Sequence, residues 1–224
     1  MSNMRTIRVT GKGNLKVKPD LTRITLSVEG TFPEYGEALR RSSQDTEQLK
    51  DLLAKYGFAR SDLKTLNFNV ETEYESYKDR GVFKQRLVGY KFRHQMKVEF
   101  ESENDRLGKV LYALAHCAVK PEFSLSYTVK DPEAAKNELL GKAITDACEK
   151  AAVLTKAAGI TLKAIQNIDY SWGQINFEVQ PMNRMLMAEE CCEAPTAAYG
   201  SYDMDIEPDD IDASDTVTVV WEIQ

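Results

Sequence analysis

Two histidines, four cysteines, a paired-glycine segment and a row of alternating glutamates are the residues of this 224-residue chain that offer chemistry. His94 lies on the apolar side of a strand-like pattern, where a hydrogen-bonded core or sheet-edge histidine is expected. His116 ends a helix-like pattern, where the macrodipole favours a cation. Neither accompanies a serine or cysteine nucleophile in a recognisable motif, for the sequence holds no GxSxG, HExxH or CxxC. Gly11-Lys12-Gly13 lacks both the GxGxxG pattern and a following Gly-Lys-Ser/Thr, so it does not read as a phosphate cradle. It reads as a bulge or kink after the first strand. Glu71, Glu73 and Glu75 recur at period two, which puts them on one wet strand face rather than around a reacting atom.

Four cysteines in a chain of this length do not make a disulfide framework. Cys117 and Cys148 fall in helix-patterned segments and read as buried free thiols. Cys191 and Cys192 are adjacent, whereas zinc sites space their first cysteines by two to four residues, and only His94 and His116 exist to complete such a site. No catalytic residue, no cofactor-binding residue and no metal ligand is therefore assigned. The chain is expected not to be an enzyme and to need no cofactor.

The elements that would carry these residues are legible from periodicity. In 90–100, Tyr90, Phe92, His94, Met96, Val98 and Phe100 alternate with Lys91, Arg93, Gln95, Lys97 and Glu99. In 66–74, Leu66, Phe68, Val70, Thr72 and Tyr74 alternate with polar residues. Shorter alternations occur at Ile24/Leu26/Val28, Phe123/Leu125/Tyr127/Val129 and Val217/Val219/Trp221/Ile223. Ile7/Val9 and 164–172 are weaker. Strands buried on both faces would be continuously apolar, so this pattern predicts a largely antiparallel sheet with one wet face.

Three segments carry helical period. In 34–56 the stripe is Tyr35, Ala38, Leu39, Leu49, Leu52, Leu53 and Tyr56, between Pro33 and Gly57. In 105–117 it is Leu107, Val110, Leu111, Leu114 and Ala115, with Asn104 as the expected cap. In 132–158, Ala143, Ala147 and Ala151 fall four apart, with Asp131 as cap and Gly159 as stop. The small residues predict close approach of that helix to a neighbour.

The fold class is thus α+β: a one-faced sheet with three helices packed on one side. Residues 22–130 follow a β-α-β-β-α-β order, the split ferredoxin-like unit. Asp79-Arg80-Gly81 suits a hairpin between the two long middle strands. Those strands look longer than the elements beside them, so their hairpin is expected to project beyond the helices. The stretch 174–213 fits no element and reads as an irregular insertion before the last strand. The net charge of −6 is concentrated here: residues 176–215 hold eleven acids against Arg184 alone. The remainder is only mildly basic, so nucleic acid is not an expected partner.

No run approaches the roughly 20 apolar residues of a transmembrane helix. The first dozen residues lack the apolar core of a signal peptide. The chain as given is therefore expected to be cytoplasmic, or periplasmic if a signal has been removed.

With this layout the chain resembles the SIMPL-domain family, long filed as a domain of unknown function. That family includes a bacterial periplasmic immunogenic protein and proteins linked to oxidative-stress defence. Val9-Thr10-Gly11-Lys12-Gly13 followed by Val17-Lys18-Pro19-Asp20 resembles the opening signature. Gly57 with Asp62-Leu63-Lys64-Thr65 resembles the post-helix turn, and Gly89-Tyr90 the start of the long strand. Ala143, Ala147, Ala151 and Gly159 resemble the long helix, and Val217–Ile223 the closing strand. The resemblance implies one SIMPL-like domain over 1–224, a curved sheet, frequent assembly into rings or other oligomers, and no catalytic residues. It departs at the acidic insertion. The leading expectation is a non-enzymatic homo-oligomer connected with the envelope or oxidative stress. The alternative is a protein- or peptide-binding module that uses the sheet edge or the 174–213 loop.

Overall fold

The computed structural model of the chain describes residues 5–79, 81–170, 175, 177–180 and 207–224. Among these the order is β1 (Thr6–Val17), β2 (Leu21–Phe32), α1 (Tyr35–Ala54), β3 (Lys64–Asp79), β4 (Val82–Glu101), α2 (Asn104–Ala115), β5 (Glu122–Thr128), α3 (Pro132–Ala158), β6 (Leu162–Tyr170), β7 (Glu178–Val179) and β8 (Ile211–Ile223). The expected α+β class, its antiparallel pairing and the order of helices and strands are all present. Most of the 174–213 insertion, including Cys191, Cys192 and the methionines at 182, 185 and 187, lies outside the described residues.

The strands fall into separate sheets, and the chain divides into two compact units. One unit contains β2, α1, β3, β4, α2 and β5. Its strand order is β3-β4-β2-β5, the ferredoxin-like arrangement expected from the sequence order. β2 and β3 both run antiparallel to β4, which lies between them. The core joins Ile24, Leu26, Phe92, Met96 and Val98 from the sheet to Leu49 and Leu53 of α1 and Leu107, Val110, Leu111 and Leu114 of α2. These are the apolar faces of the period-two and period-3.6 patterns, brought together.

The other unit contains β1, α3, β6, β7 and β8. β8 is paired antiparallel with β1 on one side and β6 on the other. Ala143, Ala147 and Ala151 of α3 are completely buried against Val9, Val217, Val219 and Trp221. Asp131 caps α3 by accepting a hydrogen bond from the Ala134 amide at 2.9 Å, and Gly159 ends it in a left-handed conformation (φ 69°).

Two local expectations are corrected. Gly11 and Gly13 do not form a bulge: β1 pairs with β8 in unbroken register through both. They are small because α3 lies against them. A Cβ on Gly13 would come within 2.2 Å of the Leu139 carbonyl oxygen. Asn104 is not the cap of α2 but its first helical residue, and Glu103 takes the cap position without a side-chain hydrogen bond.

Candidate functional site

The residues singled out for chemistry do not converge. His94, on β4, is buried against α1 and β3. Thr46 donates its hydroxyl to the Ser42 carbonyl oxygen at 2.8 Å, and the same hydroxyl oxygen lies 3.1 Å from His94 Nδ1. Nε2 is hydrogen-bonded to the Thr65 hydroxyl at 2.8 Å. The Ser42 hydroxyl also lies 3.4 Å from Nδ1, so both ring nitrogens have hydroxyl partners. Burial pushes its pKa below the usual histidine value, and the Lys50 ammonium pushes the same way. His94 is a satisfied tie between elements, as its place on the apolar side predicts.

His116 sits in the C-cap of α2, with Nδ1 2.8 Å from the Tyr112 carbonyl oxygen and its ring stacked on Tyr112. Cys117 is half-buried. Cys148 is exposed, contrary to the buried thiol expected, because the stripe that faces the sheet runs through Ala143, Ala147 and Ala151. Among the described residues no three His, Cys, Asp or Glu side chains gather to hold a metal ion. A shallow groove of about 510 Å3 lined by Phe32, Glu37, Arg40, Arg41 and Gln44 is open to solvent. Its Arg41 is already paired with Asp45 at 3.1 Å.

The unusual feature is the β3–β4 hairpin. Core strands alternate buried and exposed, yet from Tyr74 through Asp79 and from Val82 through Val88 almost every residue is exposed on both faces. The two strands stay paired over this length, Tyr74 with Leu87 and Asp79 with Val82. At about 3.3 Å per residue this makes an arm about 20 Å long. A register shift between Glu73 and Tyr74 adds one residue to β4, which is where the arm begins.

Gly89 marks the same place. A Cβ there would meet the Phe32 carbonyl oxygen at 2.3 Å, at the end of β2. Gly89-Tyr90 is therefore not the start of the long strand, which begins at Val82. It is the point where β4 leaves its partner β2 and continues with β3 alone.

The arm has two unlike faces. One continues the core face past Val70–Phe92 and Thr72–Tyr90 to Tyr74–Leu87, Ser76–Gln85 and Lys78–Phe83. Phe83 is 77% exposed, Tyr74 56% and Leu87 49%. Nearer the body, Leu66 and Phe68 on the same face are also exposed. The opposite face is ionic. Glu75 accepts from Arg86 at 2.7 Å, Asp79 pairs with Lys84 at 2.6 Å, and Arg86 lies over the Tyr77 ring. Large exposed apolar side chains gathered on one face of an arm and rimmed by charge mark an interaction site; here Tyr74 and Leu87 are separated from Phe83 by Ser76 and Gln85. The sequence placed Tyr74 on the apolar side of its strand. The length of the two strands predicts a hairpin that projects beyond the helices, and the exposure of Tyr74 through Asp79 and Val82 through Val88 fits that expectation.

Comparison with known proteins adds the relatives. The family model SIMPL, described as "Protein of unknown function (DUF541)", matches residues 7–221. The chain is 28% identical over 163 residues to the 26 kDa periplasmic immunogenic protein of Brucella melitensis, and 27% identical to that of Brucella abortus. The matched region is 72% of this chain and 65% of each relative, so it spans less than two thirds of their length.

Proposed function

The chain belongs to the SIMPL family, and from that premise we propose that it is a non-enzymatic, self-associating protein of the bacterial periplasm that assembles through the β3–β4 arm. The observation that carries this reading is the arm's uncovered apolar face, Tyr74, Phe83 and Leu87. Burying a Phe or Leu side chain completely is worth about 1.5–3 kcal/mol. A second copy is an occupant that is always present at matching concentration. The periplasmic setting rests on the two relatives whose names carry that word, and cell fractionation tests it directly.

Sedimentation velocity of the parent and of Phe83→Ser with Leu87→Ser tests the assembly. The expected result is an oligomer for the parent and a shift toward monomer for the variant, with the parent's circular dichroism retained because both side chains are exposed in the fold. A parent that sediments as a strict monomer at micromolar concentration overturns the reading. A second reading, capture of a peptide strand by a sheet edge, is favoured by β3, which ends the strand order of its sheet. It predicts a monomeric parent that retains a bound partner.

A further inference from the structure

Among the described residues β3 and β1 are both edge strands: β3 pairs only with β4 in its sheet, and β1 only with β8. An edge strand presents unpaired backbone donors and acceptors and invites another strand unless its side chains forbid it. The side chains of these two edges are opposite in sign. On the ionic face of β3 stand Glu71, Glu73, Glu75 and Asp79. On the solvent face of β1 stand Arg8, Lys12 and Lys16, all exposed.

The spacing also matches. Arg8, Lys12 and Lys16 are four apart on one face, and so are Glu71, Glu75 and Asp79. Like charges directly opposite one another destabilise a strand pair, and opposite charges support it. Two β3 edges from two copies would set acid against acid, and two β1 edges base against base. Each edge is closed to its own kind and open to the other. Charge already alternates between rows in this sheet: Glu75 and Asp79 on β3 face Arg86 and Lys84 on β4, and Lys91 and Arg93 on β4 face Glu29 on β2. A basic strand beside β3 continues that alternation outward.

Resting on the self-association reading above, we infer that the β3 edge of one copy takes up the β1 edge of a second copy in antiparallel register, with Lys16 opposite Glu71, Lys12 opposite Glu75 and Arg8 opposite Asp79. Antiparallel pairing is chosen because its ladder is somewhat more stable per residue. The same register sets Tyr74 opposite Gly13. Gly13 faces α3 in its own unit, so the arm's apolar face arrives on the α3 side of the receiving sheet, and its ionic face continues the solvent side. One register thus satisfies both the charges and the apolar pattern. The contact is heterologous: each copy offers one acidic edge and one basic edge, so assembly can propagate beyond a dimer.

Charge exchange tests this. Glu71→Lys and Lys16→Glu are each expected to weaken association by about fivefold, as expected for reversing one exposed pair. Mixing the two restores the new edge pair in alternate junctions, so the mixture is expected to associate more strongly than either variant alone. The triple variants Glu71→Lys/Glu75→Lys/Asp79→Lys and Arg8→Glu/Lys12→Glu/Lys16→Glu are expected to be monomeric separately and to assemble when mixed. Circular dichroism confirms that each is folded, and the single reversals carry the test if a triple variant is not. Rescue of Glu71→Lys by Arg8→Glu instead of Lys16→Glu overturns the antiparallel register. Variants that assemble like the parent, or a mixture without rescue, overturn the edge pairing while leaving the arm-mediated reading intact. A monomeric parent overturns both.

Discussion

A Cβ placed on Gly11 of β1 would lie 2.0 Å from the carbonyl oxygen of Ala143 in α3. Backbone therefore meets backbone at this crossing, and neither partner has a flexible end that can move aside. The paired glycines of the opening signature and the alanines of the long helix are two halves of one contact. The Lys12 amide secures the same crossing by donating to Asp146 at 2.7 Å, and Lys150 pairs with that carboxylate. Together they hold the Asp146 pKa below the usual aspartate value.

Gly11→Ala is accordingly expected to destabilise the β1–α3 packing by about 3 kcal/mol, the upper range for overpacking. Urea denaturation followed by far-UV circular dichroism measures it. A loss below about 0.5 kcal/mol would show that α3 can lift from the sheet at little cost.

Gly141 in the same helix is the control. A Cβ there meets nothing within 4 Å, and the residue is exposed in a helix interior. Gly141→Ala is expected to raise stability by about 0.5–1 kcal/mol through helix propensity. The two substitutions thus have opposite signs, although both replace glycine by alanine.

His94 predicts a pH dependence. Its folded pKa is lowered, so the fold favours the neutral ring. As pH falls below about 6.5 the unfolded chain takes up a proton that the folded chain refuses. Stability is therefore expected to be full above that pH, to decline as pH falls toward the depressed folded pKa, and to level off below it. Protonation would also set a second cation near Lys50. His94→Gln should flatten this part of a stability-versus-pH curve, and an unchanged slope would assign it to other groups.

Asp131→Ala removes the acceptor for the Ala134 amide at the start of α3. The expected cost is about 1 kcal/mol, read from the denaturation midpoint. Asp131→Asn should recover most of it, because asparagine offers an equivalent oxygen.

The elements, and the apolar face of each, are legible in the spacing of the residues. Leu26, Met96 and Leu111 are buried where their period places them, and Asp131 and Gly159 bound α3 as their chemistry requires. These properties are set by neighbours within a few residues along the chain. Which strands share a sheet, why Gly11 is small, and at which residue the helical cover ends follow from contacts between distant parts of the chain. Gly11 answers to Ala143, a residue far along the chain. Tyr74 is apolar in the same pattern as Phe68 and Val70, whereas Leu87 and Phe83 share its face only because the register shift between Glu73 and Tyr74 adds one residue to β4. Periodicity records that a face is apolar. The relative lengths of strands and helices predict that the hairpin outruns its cover, and the paired strands fix where it does so, at Gly89.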